Sequence, residues 1–435
     1  MNILRFAAAT GALLLCLATA RAQQITPTLG VYIDAEGVLH STGKPDERLD
    51  ALRAKAAKLP KDNKLVYVSL PRVFAEARKH REEGKPLPPE VRYLGGMVRL
   101  KYVFVFPDEK DLVIAGPAEP FDADVPYRPL GRYTGRPVLQ LDDFITALRH
   151  VGPGGPGGAL GCTLEVTQEI ADRIRSKTKE VGPKAASIGN RQASELISQH
   201  AGPQPVKYIG LAPDNRYAAV CIEADYLLKM FGLGLIDSPT PKVKSYMALS
   251  TSAHKPHRFA FECAYDPMGI SKDGLAYELR GASLKVVTSL YSVEKQDVKE
   301  GEISPAAKAF TTNFSRHFEE VSRHVPAYAD LANLSDLSVL SALIAKDELH
   351  KKASWDLSWA LDPAACKIEP VTAPKSAQTL CHYRKYGQET IFVAGGVLLA
   401  AGQWVQERAE DENGELKGQT QRPGTEGWSL TRKMP

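Results

Sequence analysis

The sequence has few features that mark a common enzyme class. Its 435 residues contain no C-x-x-C pair, no Walker-type phosphate loop and no G-x-S-x-G nucleophile elbow. An S-x-x-K pattern occurs, as at Ser252 and Lys255, but without the S-D-N and K-T-G partners that a penicillin-recognising enzyme needs. The motifs therefore identify no catalytic set.

The chain also lacks an excess of charge of either sign. It has 55 Lys and Arg against 51 Asp and Glu, a formal net charge of +4. A protein that binds nucleic acid usually carries a basic patch or stripe, whereas here the two signs are interspersed. The sequence therefore predicts no nucleic-acid partner.

Cysteine is scarce as well. There are six cysteines, one of them in the N-terminal leader, so an odd number remains and at least one thiol stays unpaired in a monomer. Cys162, Cys221 and Cys263 occur in apolar, strand-like runs, where a buried free cysteine is the commoner state. We predict a disulfide between Cys366 and Cys381.

Residues 1–22 have the pattern of a secretory signal peptide. Arg5 is the only early charge, an apolar run follows, and Ala20 and Ala22 supply the small residues that a signal peptidase reads. A membrane anchor is the alternative, but the apolar run is short for a bilayer core of about 30 Å. We predict cleavage after Ala22, a mature chain outside the cytoplasm (periplasmic or secreted), and no membrane span.

A β-hairpin is predicted within Gly95–Glu119. Its strands are Met97–Phe106 and Leu112–Ala115, joined by a turn at 107–111 that contains Pro and Asp. Both strands are mostly apolar, so we expect the hairpin to lie in a sheet that is covered on at least part of both faces.

A second copy of this hairpin is predicted further along the chain. Lys207–Arg216 repeats the Lys-Tyr, Pro-Asp and basic positions of the first hairpin, and Tyr217–Glu223 would be the return strand. A structural repeat in one shared sheet and a chance match both remain open, because the window is short.

A glycine- and proline-rich segment at 152–158 divides the chain. Its GPGGPG matches G-x-G-x-x-G formally, but a helix is predicted before it and a strand after it, the reverse of a dinucleotide-binding turn. We interpret it as a linker.

The predicted organisation is a signal peptide at 1–22, an N-terminal α/β subdomain with the first hairpin at 23–151, a second α/β subdomain with the repeated hairpin at 159–300, a helical hairpin at 301–350, and a loop-rich tail at 351–435 with a short strand pair and a disordered end.

The predicted fold class is α+β, with mainly antiparallel hairpins in a mixed sheet and helices packed on it. A further strand pair is expected between Arg258–Ala264 and Leu275–Leu279. The helical hairpin follows from apolar residues at helical spacing on both sides of Pro326. The tail strand pair is expected at 391–393 and 397–399.

Three motifs resemble a known family. They are GGMVRLKYVFVFPDEKDLVIAGPAE at 95–119, GRYTGRPVLQLDDFITALRH at 131–150, and EADYLLKMFGLGL at 223–235. Over roughly 93–349 the chain resembles the planctomycete-type secreted proteins grouped as domain of unknown function 1598. The resemblance implies export and no assigned activity, and it transfers no catalytic or binding residues.

The candidate contact site is the loop 127–136. Arg128, Arg132, Tyr133 and Arg136 lie there in a Gly/Pro-rich connection, and arginine and tyrosine are frequent recognition residues on such loops. The alternative is that the arginines pair with acidic residues of the fold. If the loop serves recognition, alanine at Arg132 and Arg136 leaves thermal stability nearly unchanged.

These observations favour a non-catalytic binding or scaffold module of the cell envelope, with a protein or polymer partner and without cofactor or metal. The alternative is an extracytoplasmic hydrolase whose acid and base, among Asp142, Asp143 and Asp225, converge only in the fold. A deep cleft with two carboxylates near one substrate atom would favour the hydrolase. A flat or grooved surface rich in Arg and Tyr would favour binding.

Overall fold

The structure is a computed structural model that describes residues 31–41, 65–123, 127–251, 255–384, 388–412 and 414–416. The predicted signal peptide at 1–22 lies outside the described residues, as does most of the tail end for which we expect disorder. Residues 414–416 of that end are described, and Leu416 is buried.

Two large sheets and a small one contain the strands. The strands are β1 (Val31–Ile33), β2 (Val38–Ser41), β3 (Leu65–Ser69), β4 (Tyr102–Phe106), β5 (Asp111–Pro117), β6 (Leu160–Leu164), β7 (Pro203–Ile209), β8 (His257–Ala264), β9 (Met268–Ile270), β10 (Ala276–Glu278), β11 (Ser283–Ser292), β12 (Asp297–Lys299), β13 (Ser376–Gln378), β14 (His382–Arg384), β15 (Glu389–Ile391), β16 (Val393–Leu399) and β17 (Arg408–Glu410).

Helices lie on and beside these sheets. They are α1 (Leu70–Glu82), α2 (Pro89–Arg92), α3 (Leu141–Val151), α4 (Gln168–Val181), α5 (Ala185–Ile188), α6 (Asn190–Ala201), α7 (Arg216–Gly232), α8 (Tyr246–Leu249), α9 (Pro305–Arg316), α10 (Phe318–His324), α11 (Pro326–Lys346), α12 (Leu349–Lys352) and α13 (Ser358–Leu361).

The large sheets are both mixed. The nine-stranded sheet has the order β1-β2-β13-β7-β6-β16-β8-β11-β12, with parallel pairs at β2/β13 and β16/β8. The six-stranded sheet has the order β17-β9-β10-β4-β5-β3, with one parallel pair at β17/β9. Antiparallel pairing dominates and helices pack on the sheets, so the α+β prediction is confirmed.

The first hairpin forms, but its first strand begins at Tyr102 and not at the predicted Met97. Strands β4 and β5 pair antiparallel, with Phe106 opposite Asp111. Along β4 the side chains alternate between two cores, since Val103 packs into the main core and Phe104 into a smaller one on the other face. The expectation of cover on both faces is therefore correct.

The second hairpin does not form, and this prediction was wrong. Tyr217–Glu223 lies in α7, which begins where the Asn215 side chain accepts a hydrogen bond from the Tyr217 N–H (2.8 Å). Every residue of α7 is buried. A short apolar run suits a buried strand and a buried helix equally, and the Asn cap decides for the helix.

The shared sheet was also a wrong prediction. Tyr102 lies in β4 of the six-stranded sheet, whereas Tyr208 lies in β7 of the nine-stranded sheet. The segments Arg258–Ala264 and Leu275–Leu279 are likewise not partners, because β8 pairs with β11 and β16 while β10 pairs with β4 and β9. The sequence similarity is thus local and reflects no structural repeat.

The tail forms one long strand where a pair was predicted. Strand β16 runs without a turn through Gly395 and Gly396 and lies between β6 and β8. A Cβ on Gly395 would collide with the Asp225 carboxylate and with the Lys229 side chain of α7. Glycine at this position therefore lets α7 lie close against the centre of the sheet.

The helical hairpin is present, with an additional break. Helix α9 ends at Arg316, α10 runs from Phe318 to His324, and α11 begins at Pro326. The apolar residues spaced along the first of these helices belong to the core, since Phe310 and Phe314 are fully buried. Helix α11 packs on α3 and α7, and α7 in turn contacts β6, β8 and β16.

All five described cysteines are free and buried. This agrees with the prediction for Cys162, Cys221 and Cys263. The predicted Cys366–Cys381 disulfide is absent, because Cys366 belongs to the main core and Cys381 to a separate core cluster on α4 and α6. No helix in the described part of the chain combines the length and apolarity that crossing a bilayer requires.

Candidate functional site

The first arginine of the candidate loop 127–136, Arg128, is buried in the protein interior. Arg128 is 0% exposed. Its guanidinium binds Glu223 of α7 in a bidentate manner (2.7 and 2.9 Å) and donates through Nε to Asp330 of α11 (2.7 Å). The alternative interpretation, pairing with acidic residues of the fold, therefore applies to Arg128.

Arg128 belongs to a cluster of buried charges, which we call the ion cluster: Arg128, Asp143, Arg216, Glu223 and Asp330. Arg216 binds Asp330 (2.5 Å) and Asp143, and thereby joins α3, α7 and α11. Two guanidinium groups face three carboxyl groups inside the protein. Such charges are stable in the interior only when they are paired and hydrogen-bonded.

Tyr127 connects the cluster to the loop. Its backbone carbonyl accepts hydrogen bonds from Arg216 Nε (2.6 Å) and Gln140 Nε2 (3.1 Å). Its ring lies beside the guanidinium groups of Arg128 and Arg216, whose Cζ atoms are 5.1 and 5.2 Å from the ring centre. The start of the loop is therefore fixed by the core.

One carboxyl group of the cluster is poorly satisfied. Asp143 Oδ2 accepts from Arg216, whereas its Oδ1 has no hydrogen-bond partner within the described residues. Burial raises the pKa of the Asp143 carboxyl to about 7, although Arg216 acts to lower it. The charge of Asp143 therefore changes near neutral pH.

The rest of the loop is divided between interior and surface. Arg136 is 8% exposed and donates to Glu319 (3.1 Å), while Arg132 is exposed and Tyr133 is half-buried. Glu119 Oε2 accepts from the backbone N–H of Tyr133 (2.8 Å) and so fixes the turn. Contact with a partner stays a prediction for this loop, and among the four candidate residues only Arg132 and Tyr133 have side chains that reach the surface.

The carboxylates considered for hydrolysis are each bound to a different cation. Asp142 binds Arg81, Asp143 binds Arg216, and Asp225 lies 3.6 Å from Lys229 Nζ.

Among the acidic residues of α10, Glu320 accepts hydrogen bonds from Thr240 (2.6 Å) and Lys242 (2.7 Å) and so serves the fold. No group of three potential ligands suited to a metal ion occurs among the described residues.

A groove on another part of the surface combines space with polar side chains. It has a volume of about 840 Å³, within the 300–1,000 Å³ or so that is usual for ligand clefts. Its walls come from four separate segments: β1 and β2, helix α6, the end of α7 with the turn after it, and residues 378–382. No single segment of the chain carries this site, so no sequence motif predicts it.

A smaller cavity of about 360 Å³ lies beside Arg149 and Asn215. Its polar groups already serve the fold, since Arg149 Nε donates to the Ala360 carbonyl (2.9 Å) and Asn215 Nδ2 to Thr146 Oγ1 (2.9 Å). We therefore consider the larger groove as the candidate functional site.

One wall of the groove carries a stacked pair of rings. Tyr32 of β1 lies on His40 of β2, with ring centres 5.2 Å apart and planes inclined by 20°. His40 Nε2 contacts Asp34 Oδ2 (2.6 Å) and its Nδ1 contacts Gln378 Oε1 (3.1 Å). Because both ring nitrogens are engaged, His40 is held as a rigid support and has no nitrogen available to act as a general base.

The floor of the groove contains an unsatisfied hydroxyl group. Tyr226 of α7 is 0% exposed, and its Oη has no hydrogen-bond partner among the residues that the structure describes. Burial, and then the nearby Tyr32 hydroxyl, raises the pKa of Tyr226. The phenol therefore stays protonated and keeps a hydrogen bond to donate.

Residues 162–246 match the profile of a family described as "Protein of unknown function (DUF1598)". The predicted resemblance is thus confirmed over these residues; the motif at 223–235 lies inside the match, and those at 95–119 and 131–150 lie outside it. No curated protein and no solved structure is significantly similar to the chain. Twelve of the 20 residues that line the groove fall within the matched segment.

Proposed function

We propose that this protein is an exported, non-catalytic binding module of the cell envelope that holds a protein or polymer partner in the groove. The observation that carries the proposal is the buried Tyr226 hydroxyl, which lacks a partner within the described chain. Leaving such a group unsatisfied costs about 1–3 kcal/mol. A ligand that accepts its hydrogen bond would remove that cost.

The polar groups in and around the groove also favour binding over hydrolysis. Both nitrogens of His40 are in contact with other side chains, and Arg191 Nε donates to Glu195 Oε1 (3.3 Å) at the rim. The carboxylates of the hydrolase alternative, Asp142, Asp143 and Asp225, do not line the groove. The support for export is the leader at 1–22, with its apolar run and small residues before Gln23.

A capture experiment from an envelope fraction tests the proposal with two matched variants. Gln199 and Gln192 are both exposed on α6, but only Gln199 lines the groove. We expect Gln199→Trp to block the groove and to abolish capture of the partner, and Gln192→Trp to capture it like the wild type. Equal capture by the two variants would place the binding surface elsewhere.

The partner captured from the envelope fraction also distinguishes the binding module from the alternative hydrolase. Release of fragments from a captured polymer over time would favour the hydrolase, and stable retention would favour the binding module. N-terminal sequencing of the mature chain tests export, since we expect it to begin at Gln23 in the extracytoplasmic fraction.

A further inference from the structure

We infer that the groove binds an uncharged, hydroxyl-rich polymer, a neutral glycan. This inference rests on the proposed function and names the chemical class of its ligand. It depends on three properties of the groove: an exposed aromatic platform, a balance of charge, and polar groups that both donate and accept hydrogen bonds.

The aromatic platform is Tyr32. Its side chain is 44% exposed, and it is the only large hydrophobic residue of the groove that is exposed in the described part of the chain. His40 lies against the ring and holds it in one orientation. A flat, fixed aromatic face suits the apolar C–H face of a pyranose ring, since tyrosine offers an apolar body with a polar tip.

The charges of the groove do not favour an anionic ligand. Arg191 is paired with Glu195 on α6, and Asp237 adds a further carboxylate to the lining. Burial lowers the pKa of His382, so this ring is neutral at pH 7. Phosphate or uronate recognition requires an excess of arginine or lysine, which the lining does not provide.

The hydrogen-bonding groups match sugar hydroxyls. Asn190 and Gln199 are exposed in the groove, and an amide side chain both donates and accepts. A sugar hydroxyl does the same, so each amide can satisfy one or two of them. Tyr226 Oη adds a buried donor at the floor.

The apolar residues argue against a peptide as the ligand. Peptide-binding grooves hold apolar side chains in exposed apolar pockets. Here Met230 is buried, and Leu235, Ile236 and Leu380 are half-buried. The groove therefore offers one exposed ring among polar groups and no row of apolar anchor points.

Calorimetric titration of the mature chain with cellohexaose, laminarihexaose and mannohexaose tests the inference. We expect at least one of these to bind, and Tyr32→Ala to weaken that binding about tenfold because the stacked ring is lost. Tyr32→Phe keeps the ring and should recover most of this loss. Tyr226→Phe should weaken binding about fivefold through the lost hydrogen bond, and Gln192→Trp should bind like the wild type.

The outcomes separate this inference from the proposed function. Failure of all three hexasaccharides to bind, or equal affinity in Tyr32→Ala, would overturn the glycan assignment. If a peptide or an anionic polymer from the envelope is captured and Gln199→Trp prevents the capture, the ligand class is wrong and the binding function stands. If Gln199→Trp changes neither hexasaccharide binding nor partner capture, both the glycan assignment and the proposed binding function fail.

Discussion

Helix α7 carries Glu223 of the ion cluster and Tyr226 at the floor of the groove, and the buried polar atoms of these two side chains differ in their pairing. Glu223, in the ion cluster, has both carboxylate oxygens bound by Arg128. Tyr226, less than one helical turn further on, is equally buried and its hydroxyl has no partner within the described residues. Full pairing is what a structural role requires. An unsatisfied buried group is instead a cost to the fold that binding can remove.

Alanine substitution of the arginines in loop 127–136 is expected to change the free energy of unfolding the most. We expect Arg128→Ala to lower the free energy of unfolding by about 3–5 kcal/mol, because Glu223 and Asp330 then lose a buried partner. Arg136→Ala should cost about 1 kcal/mol, since Arg136 is buried but pairs with the half-exposed Glu319. Arg132→Ala, at an exposed site, should stay within about 0.5 kcal/mol.

Chemical denaturation of the three variants measures this series. Equal stability of all three would show that burial of the ion cluster is not what holds the loop. The earlier expectation that Arg136→Ala leaves stability nearly unchanged is thereby replaced, because the structure buries this side chain.

The next largest change in stability is expected where α7, which carries both Glu223 and Tyr226, packs on β16. Gly395→Ala should lower the free energy of unfolding by about 1–3 kcal/mol or more, because the new methyl group collides with Asp225 and Lys229 and displaces α7. Gly402→Ala is the control, since a Cβ there meets no atom within 4 Å. Similar melting temperatures of the two variants would contradict the close approach of α7 to β16.

The pH dependence of the free energy of unfolding tests Asp143, the carboxyl group of the ion cluster with an unbonded oxygen in the described structure. The pKa of Asp143 is raised from 3.8 to about 7 in the folded state, so the folded protein holds this proton more tightly than the unfolded chain does. The contribution of Asp143 to stability is therefore fully present below pH 3.8 and is lost as the pH rises towards about 7.

Asp143→Asn, which cannot ionise, isolates this contribution. Measured by denaturation at about pH 5 and about pH 8, the Asn variant should gain stability relative to the wild type at the higher pH, where the wild-type carboxylate is charged. A difference that does not change with pH would mean that Asp143 is charged throughout this range.

The smallest expected change in stability is that of two Tyr→Phe substitutions in α7, at tyrosines that are both 0% exposed. Tyr217 Oη is bonded to Ser338 Oγ (2.7 Å) and to the Leu334 carbonyl (3.1 Å), whereas Tyr226 Oη has no partner in the described structure. Tyr217→Phe should cost about 1 kcal/mol, and Tyr226→Phe should be neutral or stabilising by up to about 1 kcal/mol. A clear loss of stability in Tyr226→Phe would reveal a partner within the protein and would weaken the proposed function.

Local features of the fold could be predicted and long-range ones could not. The turn at Pro107 and Asp108, the Ser304 cap and the break at Pro326 follow from neighbouring residues, and all appear in the structure. The pairing of β8 with β16 depends on residues more than a hundred positions apart. Neither alternation nor turn chemistry encodes such a partner choice.

The candidate site shows the same division. The burial of Arg128 requires Glu223 and Asp330, which reach it from two distant helices. The groove unites four distant segments, and a tyrosine within an apolar helix such as Tyr226 gives no signal of its own in the sequence. Only the three-dimensional structure separates a satisfied buried polar group from an unsatisfied one.

The free cysteines have a consequence for a chain that is exported as proposed. Burial raises the pKa of Cys263 and Cys381 to about 12, which leaves almost no reactive thiolate. If the chain is exported as proposed, its tertiary structure alone shields these sulfurs from oxidants. Each excursion to the unfolded state exposes them to mispairing, so the working lifetime of the protein depends on how rarely it opens, and a reducing agent should restore refolding after heat treatment.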